Sequence, residues 1–131
     1  PISKTCFMNL LQATYEDGHS IRRYSTTTIQ IAEKVYQRSL LLAPDSINPG
    51  WGPDNPNRLN SAHLDMIAQL SPEVILLGTG LRRVLFTTPE QQHWLQRFPG
   101  MEIMETGAAC RTYNLLLSEG RRVVAGLILE R

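Results

Sequence analysis

Cysteine is scarce. Cys6 and Cys110 are the two thiols among 131 residues, so a disulfide framework has no support and a reducing compartment is the expected setting. Histidine is scarce too: His19, His63 and His93 stand far apart and lack ligand spacing, so no metal site is assigned. Charge of one sign is missing, with 13 basic against 12 acidic residues and a net charge of +1. That balance gives no strong field to gather nucleic acid or an anionic membrane. No apolar run reaches the ~18 residues that a membrane-spanning helix needs. "CFMNLLQATY" is too short and too poorly flanked for a signal peptide. The chain also lacks G-x-G-x-x-G, a Gly-Lys-Ser/Thr loop and any local acid–base grouping. No catalytic residue and no cofactor is therefore assigned.

Apolar residues are plentiful at 42%, enough for a hydrophobic core in a chain of one-domain size. We read residues 1–131 as a single domain with a frayed start over 1–9. The first 43 residues read as a meander of about four strands. Asp17-Gly18 marks a hairpin, "TTIQIAEKVYQ" reads as a strand with Ile29, Ile31 and Val35 in partial alternation, and "RSLLLAP" stops at Pro44.

Ala43 to Asn60 is a breaker-rich loop with four prolines, two glycines and Trp51. Connections of this length without secondary structure of their own are commonly functional. Trp51 is a candidate partner contact; its alternative role is to plug the loop onto the core.

The rhythm then changes to helices and strands in turn. "NSAHLDMIAQL" opens on two candidate caps, Asn60 and Ser61, and carries Leu64, Ile67 and Ala68 as a helical stripe ended by Ser71-Pro72. "EVILLG" is a continuous apolar strand, as in a sheet covered on both faces. "TPEQQHWLQRFPG" has Thr88 as cap, Pro89 in the first helical position and Gln91 to complete a capping box, with Leu95 and Phe98 continuing its apolar side. "MEIME" is a strand, "TGAACRTYNLLLSEG" a helix ended by Gly120, and "RRVVAGLILE" the last strand. Short connections in this order force right-handed crossovers, so the strands near 73–77, 101–105 and 122–129 are expected to be parallel. The fold class is α/β: helices on a mixed sheet, with an additional N-terminal antiparallel β portion.

Parallel strands place Gly78-Thr79-Gly80 and Thr106-Gly107 at the same carboxyl edge, where open α/β sheets bind ligands. Glycine lets a backbone approach a ligand closely, and a helix start presents unpaired N–H groups. Thr106 is the expected N-cap. Arg111 leans back over Gly107, either to pair with Glu105 or to hold a bound carboxylate or phosphate. Cys110 shares the helix face of Tyr113 and Leu117 that packs on the sheet, which favours a buried, inert thiol; a reactive thiol is the alternative. Gly78, Thr79, Gly80, Thr106, Gly107, Cys110 and Arg111 thus form a candidate pocket for an anion or another small molecule. "RRVLF" after the glycines continues like a further strand. The pairs Arg22-Arg23, Arg82-Arg83 and Arg121-Arg122 would form a surface for RNA or acidic lipid only if the fold gathered them on one face.

"PEVILLGTG" followed by "METGAACRTYNLLLSEGRRVVAGLIL" resembles a family of small α/β domains over about residues 10–130. That family spans many uncharacterised bacterial and archaeal proteins, together with a mitochondrial respiratory complex I assembly factor and an adipogenesis-associated cytosolic protein. The match rests most on Gly78, Gly80, Ala109, Cys110, Arg111, Thr112, Tyr113 and Asn114. The resemblance implies a three-layer domain around a mixed, mainly parallel sheet of five strands, and no established catalytic activity. For the assembly factor it implies protein–protein contacts. The functional expectation is accordingly a non-enzymatic interaction or assembly module with protein partners, in a bacterial cytoplasmic member. The alternative is an anion-binding protein or enzyme acting at the carboxyl edge.

Overall fold

The computed structural model describes residues 19–131. The hairpin expected at Asp17-Gly18, the frayed start and Cys6 lie outside the described residues. Eight strands and three α-helices follow in the order β1 (Ile21–Tyr24), β2 (Ile29–Ile31), β3 (Lys34–Tyr36), β4 (Leu40–Ala43), β5 (Ser46–Asn48), α1 (Ser61–Ala68), β6 (Val74–Gly78), α2 (Pro89–Arg97), β7 (Glu102–Met104), α3 (Thr106–Ser118) and β8 (Val123–Leu127). β1, β2 and β3 make a small antiparallel sheet, and the main sheet has the order β5-β4-β8-β6-β7. β6 is parallel to both β8 and β7, while β4 is antiparallel to β5 and β8. Within the main sheet β4 alone runs against the others, so the sheet is mixed and mainly parallel, as expected.

Two cores explain the unbroken apolar runs. Successive strand residues face opposite sides. Leu40, Leu42, Leu76, Val123, Ala125 and Leu127 pack with Ala109, Cys110, Tyr113 and Leu117 of α3 and with Ile21, Ile29 and Ile31 of the small sheet. On the other face Leu41, Ala43, Leu77 and Val124 meet Leu64 and Ile67 of α1, Trp94 of α2 and Trp51. A strand buried on both sides has no polar face to show, hence "LLLA" and "VVAGL".

The caps are those the sequence encodes. Asn60 and His63 form a reciprocal box at α1, and Thr88 and Gln91 another at α2 with Pro89 in its first turn. His63 Nδ1 accepts from the Asn60 N–H at 3.0 Å, a role that needs an unprotonated nitrogen; partial burial lowers its pKa. The side of α2 that enters the core is led by Trp94 rather than by Leu95. Its indole donates to Ser61 Oγ at 3.1 Å and stands edge-on to Phe86.

Three sequence expectations change. Residues 29–36 form two strands instead of one, because Ala32 adopts a left-handed φ of 54° and turns the chain into a β2–β3 hairpin. The proline-rich stretch carries its own structure: β5 pairs with β4, and Pro56–Arg58 form one turn of 3-10 helix capped by Asn55. "RRVLF" is no strand.

Asn114 ties the small sheet to α3. Its side-chain amide accepts from the Ile21 N–H and donates to the Ile21 carbonyl, both at 2.8 Å. It thereby supplies what a neighbouring strand would, at the irregularity in β1 between Ile21 and Arg23.

Candidate functional site

β6 and β7 end where α3 begins, and this corner is stitched together by side-chain oxygens. Gly78 comes so close to α3 that a Cβ on it would lie 2.9 Å from Thr106 Cα. Thr79 is fully buried; its hydroxyl donates to the Arg82 carbonyl at 2.7 Å and accepts from the Val84 N–H at 3.2 Å. That hydroxyl folds the chain back on itself, so residues 82–86 wrap the turn instead of extending as a strand. Gly80 has a left-handed φ of 100° and leaves room for Glu130, whose Oε2 accepts from the Leu81 N–H at 2.7 Å.

The N-cap of α3 is Glu105, not Thr106 as expected. Its carboxylate accepts from the Gly107 N–H at 2.8 Å and the Ala108 N–H at 3.0 Å. A negative charge on these donors also suits the positive end of the helix. Thr106 sits one residue further on, buried. Its Oγ1 donates to the Ile128 carbonyl at 2.7 Å and accepts from the Gly80 N–H at 2.8 Å.

Above this floor lies a crevice of about 230 Å³. The sequence-derived residues Gly80, Thr106, Gly107 and Arg111 line it; Gly78, Thr79 and Cys110 do not. Tyr24, Ser25 and Thr26 of the β1–β2 turn form the opposite wall, with Leu81 and Glu105 completing the rim. Arg111 donates to Tyr24 Oη, lies 5.9 Å from the centre of that ring and stands 3.6 Å from Glu105 Oε2. The hydrogen bond to Tyr24 is the first cause that raises the Arg111 pKa. No sequence pattern links Tyr24 to Arg111, which are 87 positions apart.

Cys110 faces the core, as helical phase indicates. Burial foremost, and then the Glu105 charge, push its thiol up to about 12, with Arg111 partly opposing. The thiolate is the nucleophile, so native Cys110 is expected to resist iodoacetamide at pH 8 and to react once urea unfolds the chain. Rapid native labelling located at Cys110 by peptide mass spectrometry would overturn that assignment. Tyr113 on the same face is also pushed up, by burial first and by Asp45 second, and its hydroxyl has no partner among the described residues.

Trp51 is 2% exposed and donates to the His63 carbonyl at 3.1 Å. The candidate partner contact is thus a core plug, because an indole this size gains more from burial on α1 than from a place in the loop surface. The arginine pairs are not gathered on one face. Arg82-Arg83 follow the carboxyl end of β6, whereas Arg121-Arg122 precede the parallel β8 at the opposite end of the sheet. Glu73 binds Arg121 at 2.9 Å, Asp45 binds Arg122 at 3.1 Å and Glu33 binds Arg22 at 3.2 Å. Among the described residues no three His, Cys, Asp or Glu side chains come together as metal ligands, and no helix is long and apolar enough to cross a membrane.

Known proteins are similar to this chain in structure or in sequence. The NMR structure of a Xanthomonas campestris protein superposes with a TM-score of 0.72 at 38% identity, over 84% of this chain and 83% of that one. The "13 kDa major membrane protein" of Francisella tularensis is 34% identical over 70 residues, 53% of this chain and 57% of that protein. The mouse "NADH dehydrogenase [ubiquinone] 1 alpha subcomplex assembly factor 3" is 26% identical over 123 residues, 92% of this chain. This chain spans 66% of that assembly factor's length. Residues 21–128 match the model of the family described as "Protein of unknown function (DUF498/DUF598)", and the chain belongs to that family.

Proposed function

We propose that this chain is a binding module that receives a protein partner in the crevice between the β1–β2 turn, the Gly80-Leu81 turn and the start of α3. One observation carries the reading: the polar floor is already satisfied from within, while the rim offers exposed apolar side chains. Glu105 occupies the first N–H groups of α3, Glu130 that of Leu81, and Thr106 that of Gly80. Leu81 is 59% exposed beside the half-exposed Tyr24 ring, with the Arg111 guanidinium next to it. Aromatic and arginine side chains around an apolar contact are the usual anchors of protein interfaces. The assembly factors among the relatives bear names that fit a role in building a complex. The buried, weakly acidic Cys110 supports binding over nucleophilic chemistry.

The compartment belongs to the same proposal. A free, buried thiol suits a reducing cytoplasm. The membrane protein among the relatives makes attachment to a membrane-bound partner the natural variant of it.

The second reading, an anionic ligand, rests on Arg111 and the helix start. It requires the ligand to displace Glu105 from both N–H groups and from Arg111. Two measurements separate the readings. Pull-downs from native extract with wild type, Leu81→Glu and Val35→Glu should show a specific partner lost with Leu81→Glu and kept with Val35→Glu, an exposed residue of β3 away from the crevice. A partner retained by Leu81→Glu removes the crevice from the interface. Phosphate or acetate that raises the melting temperature of wild type but not of Arg111→Ala would favour the anion reading.

A further inference from the structure

β7 is the last strand of the main sheet, and among the described residues no strand lies beside one of its edges. Its register with β6 sets Glu102 against Leu76 and Met104 against Gly78, and the Met104 carbonyl accepts from the Thr79 N–H at 2.9 Å. In a parallel ladder, residues on one strand address alternate neighbours. Glu102 and Met104 therefore address β6, and Ile103 turns its N–H and C=O outward. Arg83 reads out that direction, because its Nε–H donates to the Ile103 carbonyl at 3.1 Å. An arginine laid over an open edge is a common way to keep unwanted strands off.

The edge mixes apolar with charged side chains. A groove of about 410 Å³ runs along it, walled by Val84, Leu85 and Leu95, with Ile103 at its base. Leu85 is 65% exposed. Arg83 and Glu102 line the same groove, and among the described residues neither belongs to an ion pair. One unpaired charge of each sign on one edge is self-complementary under a two-fold axis.

Chain direction selects the arrangement. Arg83 reaches β7 from the loop after β6, at the carboxyl end of the strand. Antiparallel pairing about Ile103 sets residue 102 of a second copy opposite Met104, at that same end. Parallel pairing would bring the two Arg83 side chains together. We propose that β7 is a self-association edge: two copies pair β7 with β7 antiparallel about Ile103, and Arg83 of each copy binds the partner's Glu102. The two Ile103 residues exchange N–H···O=C bonds, each Arg83 moves from the Ile103 carbonyl to a carboxylate, and Leu85 is covered. The strand is short, so the dimer is weak and concentration-dependent. No residue of the crevice takes part, and the two proposals stand or fall separately.

Sedimentation equilibrium on the full chain tests this. Wild type is expected to show a monomer–dimer equilibrium. Arg83→Glu and Glu102→Arg are each expected to raise the dimer Kd by at least about tenfold, about 1.4 kcal/mol. The double charge swap is expected to restore it. Circular dichroism of each variant separates lost pairing from lost folding. Wild type that stays monomeric at the highest attainable concentration overturns the proposal, as does a dimer that ignores the single reversals or is not rescued by the swap.

Discussion

Replacing Trp51 by alanine is expected to lower the unfolding free energy by about 3–5 kcal/mol. The indole fills the second core between α1 and β8. Its ring lies edge-on to His63 with centroids 5.7 Å apart. On the other side the strand has been thinned for it: a Cβ on Gly126 would stand 2.8 Å from Trp51 Cη2. Truncation leaves a cavity that Gly126 cannot fill, and the His63 carbonyl loses its donor. Urea denaturation followed by circular dichroism measures the loss. A variant within about 1 kcal/mol of wild type would mean that the loop does not seal the core, and Trp51 would return as a surface contact.

Thr106→Val is the second large effect. Valine keeps the volume but removes the hydroxyl, which leaves the Gly80 N–H and the Ile128 carbonyl unpaired in a buried corner. Each orphaned group costs about 1–3 kcal/mol. Thr106→Ser keeps both bonds and should recover most of the loss. In hydrogen exchange the Gly80 amide should lose protection in the valine variant and hold it in the serine one. Equal stability of valine and serine variants would show that the corner rests on packing alone. The crevice stands on this corner, so the valine variant is also expected to loosen its floor.

Much of the frame was legible because local signals agreed. Thr88, Pro89 and Gln91 specify a helix start without outside help, and "VILLG" and "VVAGL" read as strands covered on both sides. The carboxyl-edge crevice followed from strand direction. What stayed hidden depends on contacts between distant residues or on one-residue choices. Glu105 and Thr106 are adjacent acceptors, and only the helix phase decides which one caps. The β2–β3 hairpin turns on a left-handed Ala32, which no turn residue announces. Tyr24 becomes a crevice wall only through Arg111. Trp51 did leave a trace, since a glycine inside a buried strand, Gly126, marks a close approach. Composition says that something large comes near; it does not name it.

The pairing of early with late segments has a consequence in time. β4 is apolar on both faces, and its neighbour β8 comes far later in the chain. Ile21 likewise waits for Asn114, 93 residues downstream. During synthesis the "LLLA" segment leaves the ribosome with one flank and both faces unclaimed until residue 127 has followed it. The segment from β1 to β5 therefore cannot settle as it emerges. The main sheet is therefore expected to close only once β8 has emerged, and until then the nascent chain depends on whatever shields it.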